Sequence, residues 1–329
     1  MSAIAHANTP VLERFSVATG KQESPDDAYQ RLLQKLCDAS VKKRFEAFTD
    51  IDWEHPDMAV SPEDPRWELD AQGSSLGATD WYQRQPAAVR SRIGLHMMVS
   101  FCYVGRVFEG ILSRGLLRFA ATQPHGSLEY RFAYHEVIEE GHHSLMFQEL
   151  VNRSKLHVPL LSKEFFDGAG RVAEYGSSFP EMLFIYALGG EEPIDFVQRA
   201  AIAKGMDRHP LADRISKIHI TEEARHVAFA RAYLRRNVPN LDAAQRHRMS
   251  IEAPVVLGAI AKTMMDPPAN IIATYQIPDE TVEEAFVTSP DHRGKVVGSM
   301  AGLYALCGEL GLLNDESRAL WTEGGLVAT

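Results

Sequence analysis

His219-Ile-Thr-Glu-Glu-Ala-Arg-His226 sets a histidine, a glutamate and a second histidine at positions 219, 223 and 226. Residues three and four apart share one face of an α-helix, so on a helix these three side chains form a single stripe. On a strand or a loop they would diverge. Glu140-Gly-His-His143 repeats the Glu-x-x-His half of the pattern. One such pair on a surface helix is ordinarily solvated charge. Two pairs, each presenting a carboxylate and an imidazole on one face, call for a helical protein with a shared polar interior.

Working outward, each motif has a matching glutamate upstream. Glu109 precedes Glu140 by 31 residues and Glu191 precedes Glu223 by 32. The chain thus reads as two similar halves, each a Glu helix followed by a Glu-x-x-His helix. This is the ligand pattern of ferritin-like bundles that hold two metals between carboxylates. Glu109 lies within the apolar stretch Met97–Leu117, where an unpaired buried carboxylate would be costly. Glu191 is preferred to its neighbour Glu192 because Phe184 and Ala187, which share its face, read as core. The expected ligand set is Glu109, Glu140, His143, Glu191, His219, Glu223 and His226. Mixed carboxylate and imidazole donors suit two iron ions, with manganese possible in one or both sites. The lack of thiols in the set counts against structural zinc.

The rest of the chain reads as helix with irregular connections. Residues 1–23 resemble a mobile arm, and Ser24-Pro25-Asp26-Asp27 starts a helix. Residues 50–86, rich in proline and holding Trp53, Trp67 and Trp81, read as a long irregular segment pinned to the body by its aromatics. Helices are expected at Ala87–Ala121, Ser127–Arg153, Phe179–Gly205 and Leu211–Asn237, with a linker over Lys155–Arg171. Two further helical stretches are expected at Leu241–Met265 and His292–Leu313. Pro193 and Pro254 fall inside helices and predict kinks or local bulges. Almost nothing reads as strand. The expected fold is all-α: one helical domain over 1–329, with a four-helix metal-binding core at 87–237 and accessory helices at 241–313.

Over Ile93–Tyr233 the chain resembles the AurF-like two-iron N-oxygenases, typified by p-aminobenzoate N-oxygenase. The resemblance rests on the Glu109 helix, Ile138-Glu-Glu-Gly-His-His-Ser-Leu-Met146, Ala187-Leu-Gly-Gly-Glu191 and the 219–226 stretch. The additional histidine, here His219, distinguishes that family from other two-iron proteins. The resemblance implies a homodimeric helical protein that activates O2 with electrons from an external donor. It further implies oxidation of a small arylamine, ultimately towards a nitro group.

Several polar neighbours need placing. Glu136 and Asp195 stand one turn from expected ligands, where either could hydrogen-bond a ligand imidazole or simply face solvent. Glu139 and Glu222 adjoin ligands in sequence and are expected to point elsewhere. His135 and His142 read as surface or packing residues. Arg106 could anchor an anionic substrate or bridge to another helix.

Composition narrows the partners. A net charge of −10 and a pI near 5.7 argue against nucleic acid. No stretch of 18 uninterrupted apolar residues argues for a membrane span. The N-terminal residues lack the pattern of a signal peptide. Cys37, Cys102 and Cys307 are far apart and read as buried thiols in a reducing cytoplasm. Two rival activities share the bundle: a hydroxylase or desaturase acting on an acyl or hydrocarbon substrate, and ferritin-like iron storage. The first has no need of His219. Storage subunits are about half this length. A radical-bearing reductase subunit would carry tyrosine where this chain has Phe147.

Overall fold

The computed structural model describes residues 24–203 and 208–328. The expected arm at 1–23 and the expected helix end at Gly205 lie outside the described residues. In chain order the helices are α1 (Pro25–Lys42), α2 (Asp80–Gln83), α3 (Ala87–Thr122), α4 (Leu128–Ser154), α5 (Lys163–Ser178), α6 (Pro180–Ala203), α7 (Pro210–Asn237), α8 (Ala243–Met265), α9 (Ala269–Tyr275), α10 (Asp279–Val282), α11 (Pro290–Glu309) and α12 (Asp315–Glu323). No strand occurs among the described residues, so the fold is all-α.

Local sequence explains the boundaries. Ser127 starts α4 by accepting a hydrogen bond from the Tyr130 amide at 3.2 Å, and Pro210 opens α7 at its first position. Pro193 and Pro254 both lie inside continuous helices, α6 and α8. The residue one turn before Pro193 is Gly189. A side chain there would meet Leu257 of α8, with Cβ only 2.1 Å from the Leu257 Cδ2, so the glycine lets α8 lie close against α6.

The stretch 155–171 is not a linker throughout. Its second half forms the start of α5, capped by the Ser162 hydroxyl, which accepts from the Phe165 amide at 3.2 Å. Ala169, Ala173 and Gly176 form the buried face of this helix. A Cβ on Gly176 would stand 1.9 Å from the Gly115 carbonyl oxygen. Such close backbone approach seats α5 directly on α3. The last helix, α12, was also not anticipated; Trp321 anchors it in the core.

Four helices make the centre. α3 packs along α4 and α6 along α7, while α3 touches α6 and α4 touches α7. α3 is long and apolar enough to cross a membrane, but 61% of its apolar window is buried by its neighbours. Below the polar centre, Phe119, Phe132, Phe184 and Phe229 form a fully buried aromatic floor, with Phe119 edge-on to Phe184 at 5.1 Å. The segment 50–86 is largely irregular, as its prolines require. Trp53 and Trp67 are buried against α3, α4 and α7, and Trp81 packs half-buried beside Tyr82 and Ile93.

Candidate metal centre

All seven expected ligands are buried, and the bundle gathers them into two groups that could each hold a metal ion. Glu109, His143, His219 and Glu223 form one group, with ligand atoms within 4.8 Å of one another. Glu140, Glu191 and His226 form the other together with Glu136. Glu136 therefore stands among the candidate ligands themselves, rather than outside them. Glu192 takes a different course: its carboxylate binds the Arg231 guanidinium at 2.8 Å from Nε.

Two carboxylates straddle the groups. Glu140 Oε2 accepts from His143 Nδ1 at 2.9 Å, and its Oε1 lies 3.0 Å from His226 Nδ1 without hydrogen-bond alignment. Glu223 Oε1 is 3.2 Å from His143 Nδ1 and 3.4 Å from His219 Nε2, while its Oε2 is 3.5 Å from His226 Nδ1. Each of these glutamates thus faces both groups at once.

The outward nitrogen of every imidazole is also held. His143 Nε2 donates to Glu222 Oε2 at 2.9 Å, and His226 Nε2 donates to Glu139 Oε2 at 2.8 Å. His219 Nδ1 donates to Gln198 Oε1 at 3.1 Å. These acceptors hold the outward protons and leave Nδ1 of the motif histidines and Nε2 of His219 turned inward; the His143 Nδ1 proton shared with Glu140 is one that a cation would replace. Glu139 and Glu222 therefore do not point away from the site; each orients the histidine of the opposite motif helix. Arg225 lies beside both, 2.9 Å from Glu139 and 3.5 Å from Glu222. Asp195 does not take that role. Its carboxylate is held by Arg199 Nε at 2.7 and 2.8 Å. Arg106 donates to Gln148 Oε1 at 2.5 Å and stays outside the centre. His142 lies 3.7 Å from Glu46, away from the ligand stripe.

Several inward atoms have no hydrogen-bond partner: both oxygens of Glu191 and Glu223, one each of Glu136 and Glu140, and His226 Nδ1. Orphaned acceptors in a buried site are costly. A cation supplies what they lack, so the donor set fits two hard or borderline metal ions. Electrostatics agree. Burial pushes the Glu136 carboxyl up to about 8. Burial, then the charges of nearby glutamates, holds Glu109 and Glu191 well above the usual carboxylate range. Burial and Glu223 also push Glu140 up, but His226 and the His143 hydrogen bond outweigh them and carry it down to about 2. Burial lowers both motif histidines, yet the surrounding carboxylates win and raise them well above normal. Burial takes His219 down to about 4. Without metal the centre therefore balances its charge with protons, which a bound cation displaces.

Residues 26–311 match the family of p-aminobenzoate N-oxygenase AurF. The chain belongs to the AurF family. Membership makes it a diiron oxygenase by family, and the two buried groups are the matching feature of its structure. It is 38% identical over 297 residues to an uncharacterized protein of Mycobacterium bovis, covering 90% of this chain and 87% of that one. An uncharacterized protein of Mycobacterium tuberculosis matches with the same identity and coverage.

In this AurF-family chain a cavity of about 650 Å³ opens beside the centre and reaches Glu109, Glu191 and His219. Its walls are mainly apolar. Phe108 and Leu112 come from α3, Phe165 and Val172 from α5, Ile194 from α6 and Val256 from α8. The helix missed in the sequence, α5, thus forms one wall of the space in front of the candidate ligands. Phe108, the residue before Glu109, is part of this wall.

Proposed function

We propose that this chain is a two-iron oxygenase that oxidises the nitrogen of an aromatic amine. The observation supporting the finer reading is His219, buried beside Glu109, His143 and Glu223. A hydroxylase or desaturase of the same bundle has no need of this third imidazole. Glu109, His143, His219 and Glu223 would hold one ion. Glu136, Glu140, Glu191 and His226 would hold the other, and manganese suits the same donors. The chemistry supplied by the ions when bound is reduction of O2 and its transfer to the amine, with electrons from an external donor.

The chain's own residues do the rest. Glu139, Glu222 and Gln198 keep the outward imidazole protons in place, so the inward nitrogens face the ions, whose binding would displace the inward protons. Glu140 and Glu223, facing both groups, tie the two sites together. The apolar walls exclude water and bring a neutral amine to the face formed by Glu109, Glu191 and His219. The roomy cavity favours turnover of a small molecule over iron storage. Three buried, unpaired cysteines support a reducing, cytoplasmic setting. Exposed Tyr130, Tyr134, Ile138 and Leu145 on one side of α4 support self-association as a homodimer.

The test is to load the purified protein with iron under reducing, oxygen-free conditions, count bound metal, then admit O2 with a panel of anilines. About two iron ions per chain and a hydroxylamine or nitro product are expected. Stoichiometric zinc without iron would overturn the metal reading. Oxidation of acyl or hydrocarbon compounds alone would overturn N-oxygenation.

A further inference from the structure

The cavity in front of the centre is much larger than one aromatic ring needs. At about 650 Å³ it lies in the range of sites that enclose drug-sized molecules. A one-ring amine would leave most of the apolar wall wet or empty.

Its polar groups are also unusual in being already used. The Tyr175 hydroxyl donates to Glu252 Oε2 at 2.9 Å and accepts from Arg248 at 2.7 Å, and Arg248 Nε donates to Glu252 Oε1 at 2.7 Å. The Thr263 hydroxyl donates to the Ala259 carbonyl at 2.8 Å. Glu164 is held by its own backbone and Ser162 at the start of α5. The only cation on the described wall is Arg171, and its side chain is exposed. With the amine at the metal centre, a carboxylate on the far side of the substrate would therefore meet no buried positive charge on the wall.

One group remains. Tyr186 lines the cavity from α6 and is buried, yet its hydroxyl has no hydrogen-bond partner among the described residues. Burial pushes its hydroxyl pKa above the usual phenol range, so it stays a neutral donor. It lies five residues before Glu191 on the same helix, with Leu183, Ala187, Gly190 and Ile194 completing the stripe that faces the cavity.

Building on the reading of the centre as amine-oxidising, we propose that the substrate is an uncharged, mainly apolar amine of two or more rings. A neutral oxygen substituent on it, such as a carbonyl, accepts a hydrogen bond from Tyr186. One-ring amino acids such as p-aminobenzoate are poor ligands of this cavity with the amine at the centre, because the carboxylate then has no buried counterpart on the far wall and their size leaves the cavity underfilled.

The experiment is calorimetric titration of the iron-loaded protein without oxygen, repeated on the metal-free protein. The probes are p-aminobenzoate, aniline, 4-aminobenzophenone and 4-benzylaniline. The last two match in shape and differ in the carbonyl. 4-Aminobenzophenone should bind at least about tenfold more tightly than p-aminobenzoate, and about three- to tenfold more tightly than 4-benzylaniline. Tyr186→Phe should remove the second difference and leave 4-benzylaniline unchanged. Val256→Trp should weaken both two-ring amines while sparing aniline. The proposal is overturned if p-aminobenzoate binds as tightly as the two-ring amines, most clearly if Arg171→Ala abolishes that binding. It also fails if Tyr186→Phe leaves the carbonyl preference intact. Because binding is read without oxygen, two-ring amines that bind as expected but leave unoxidised after O2 is admitted would sink N-oxygenation and not the substrate class.

Discussion

Glu222 and His143 lie 79 positions apart on different helices, yet Glu222 Oε2 accepts from His143 Nε2 at 2.9 Å. Glu139 and His226 repeat the arrangement in mirror fashion at 2.8 Å. Each motif helix therefore carries the carboxylate that orients the other's imidazole, placed one residue before its own inward glutamate.

Glu139→Gln and Glu222→Gln should each weaken metal binding. Losing an acceptor that orients a ligand imidazole typically costs about 10- to 100-fold in metal affinity. Competition against a coloured chelator measures the loss, and circular dichroism should report an unchanged helical fold. Unaltered affinity in both variants would leave these carboxylates a packing role only.

His219→Ala should affect the two sites unequally. His219 belongs to the group with Glu109, His143 and Glu223, and the Glu136, Glu140, Glu191 and His226 group keeps its full set. Metal analysis after dialysis should fall from about two ions per chain towards about one, with a changed absorption spectrum of the oxidised protein. Gln198→Ala, which removes only the acceptor of His219 Nδ1, should shift the spectrum less. Full metal content with an unchanged spectrum in His219→Ala would remove His219 from the ligand set.

Metal removal should lower thermal stability. Inward oxygens of four glutamates lack partners without a cation, and any ligand bound only by the folded state stabilises it by mass action. At 100 times its dissociation constant, each ion adds about 2.7 kcal/mol. Melting curves with and without chelator should therefore separate, with the metal-loaded form the higher. Coincident curves at saturating iron would mean that the buried groups do not bind the ion.

Gly176→Ala should destabilise the protein although it adds one methyl group. That carbon would stand 1.9 Å from the Gly115 carbonyl oxygen, so α5 must move off α3. Overpacking of this kind costs about 1–3 kcal/mol. Because α5 walls the cavity, binding of cavity ligands should weaken in parallel. A melting temperature equal to the parent's would show that the two helices can separate freely.

What the sequence made legible follows from how helices repeat. Glu140 with His143, and Glu223 with His226, share a face whatever the neighbours are, so spacing alone brought them together. Glu109 and Glu191 followed from matched separations and apolar surroundings. Glu139 and Glu222 were misread because a residue adjacent to a ligand turns about 100° around the helix. That rotation says where a side chain leaves its own helix, and nothing about which helix stands there to meet it. Asp195 had plausible spacing, but Arg199, one turn on, holds its carboxylate. The first half of α5 reads as linker in the sequence, and Gly168 and Gly170 give it weak local helix propensity. Its stability comes from contact with α3 and α6, which no short window of sequence contains.

The reciprocal Glu139–His226 and Glu222–His143 pairs make the two halves of the chain depend on each other. The non-helical connection between α4 and α5 divides the chain into two halves, each with one Glu helix and one Glu-x-x-His helix. Neither half is self-sufficient, because each lacks the acceptor for its own histidine and holds the one its counterpart needs. A break in the connection between α4 and α5 would therefore strand each motif histidine from its acceptor until the two fragments reunite.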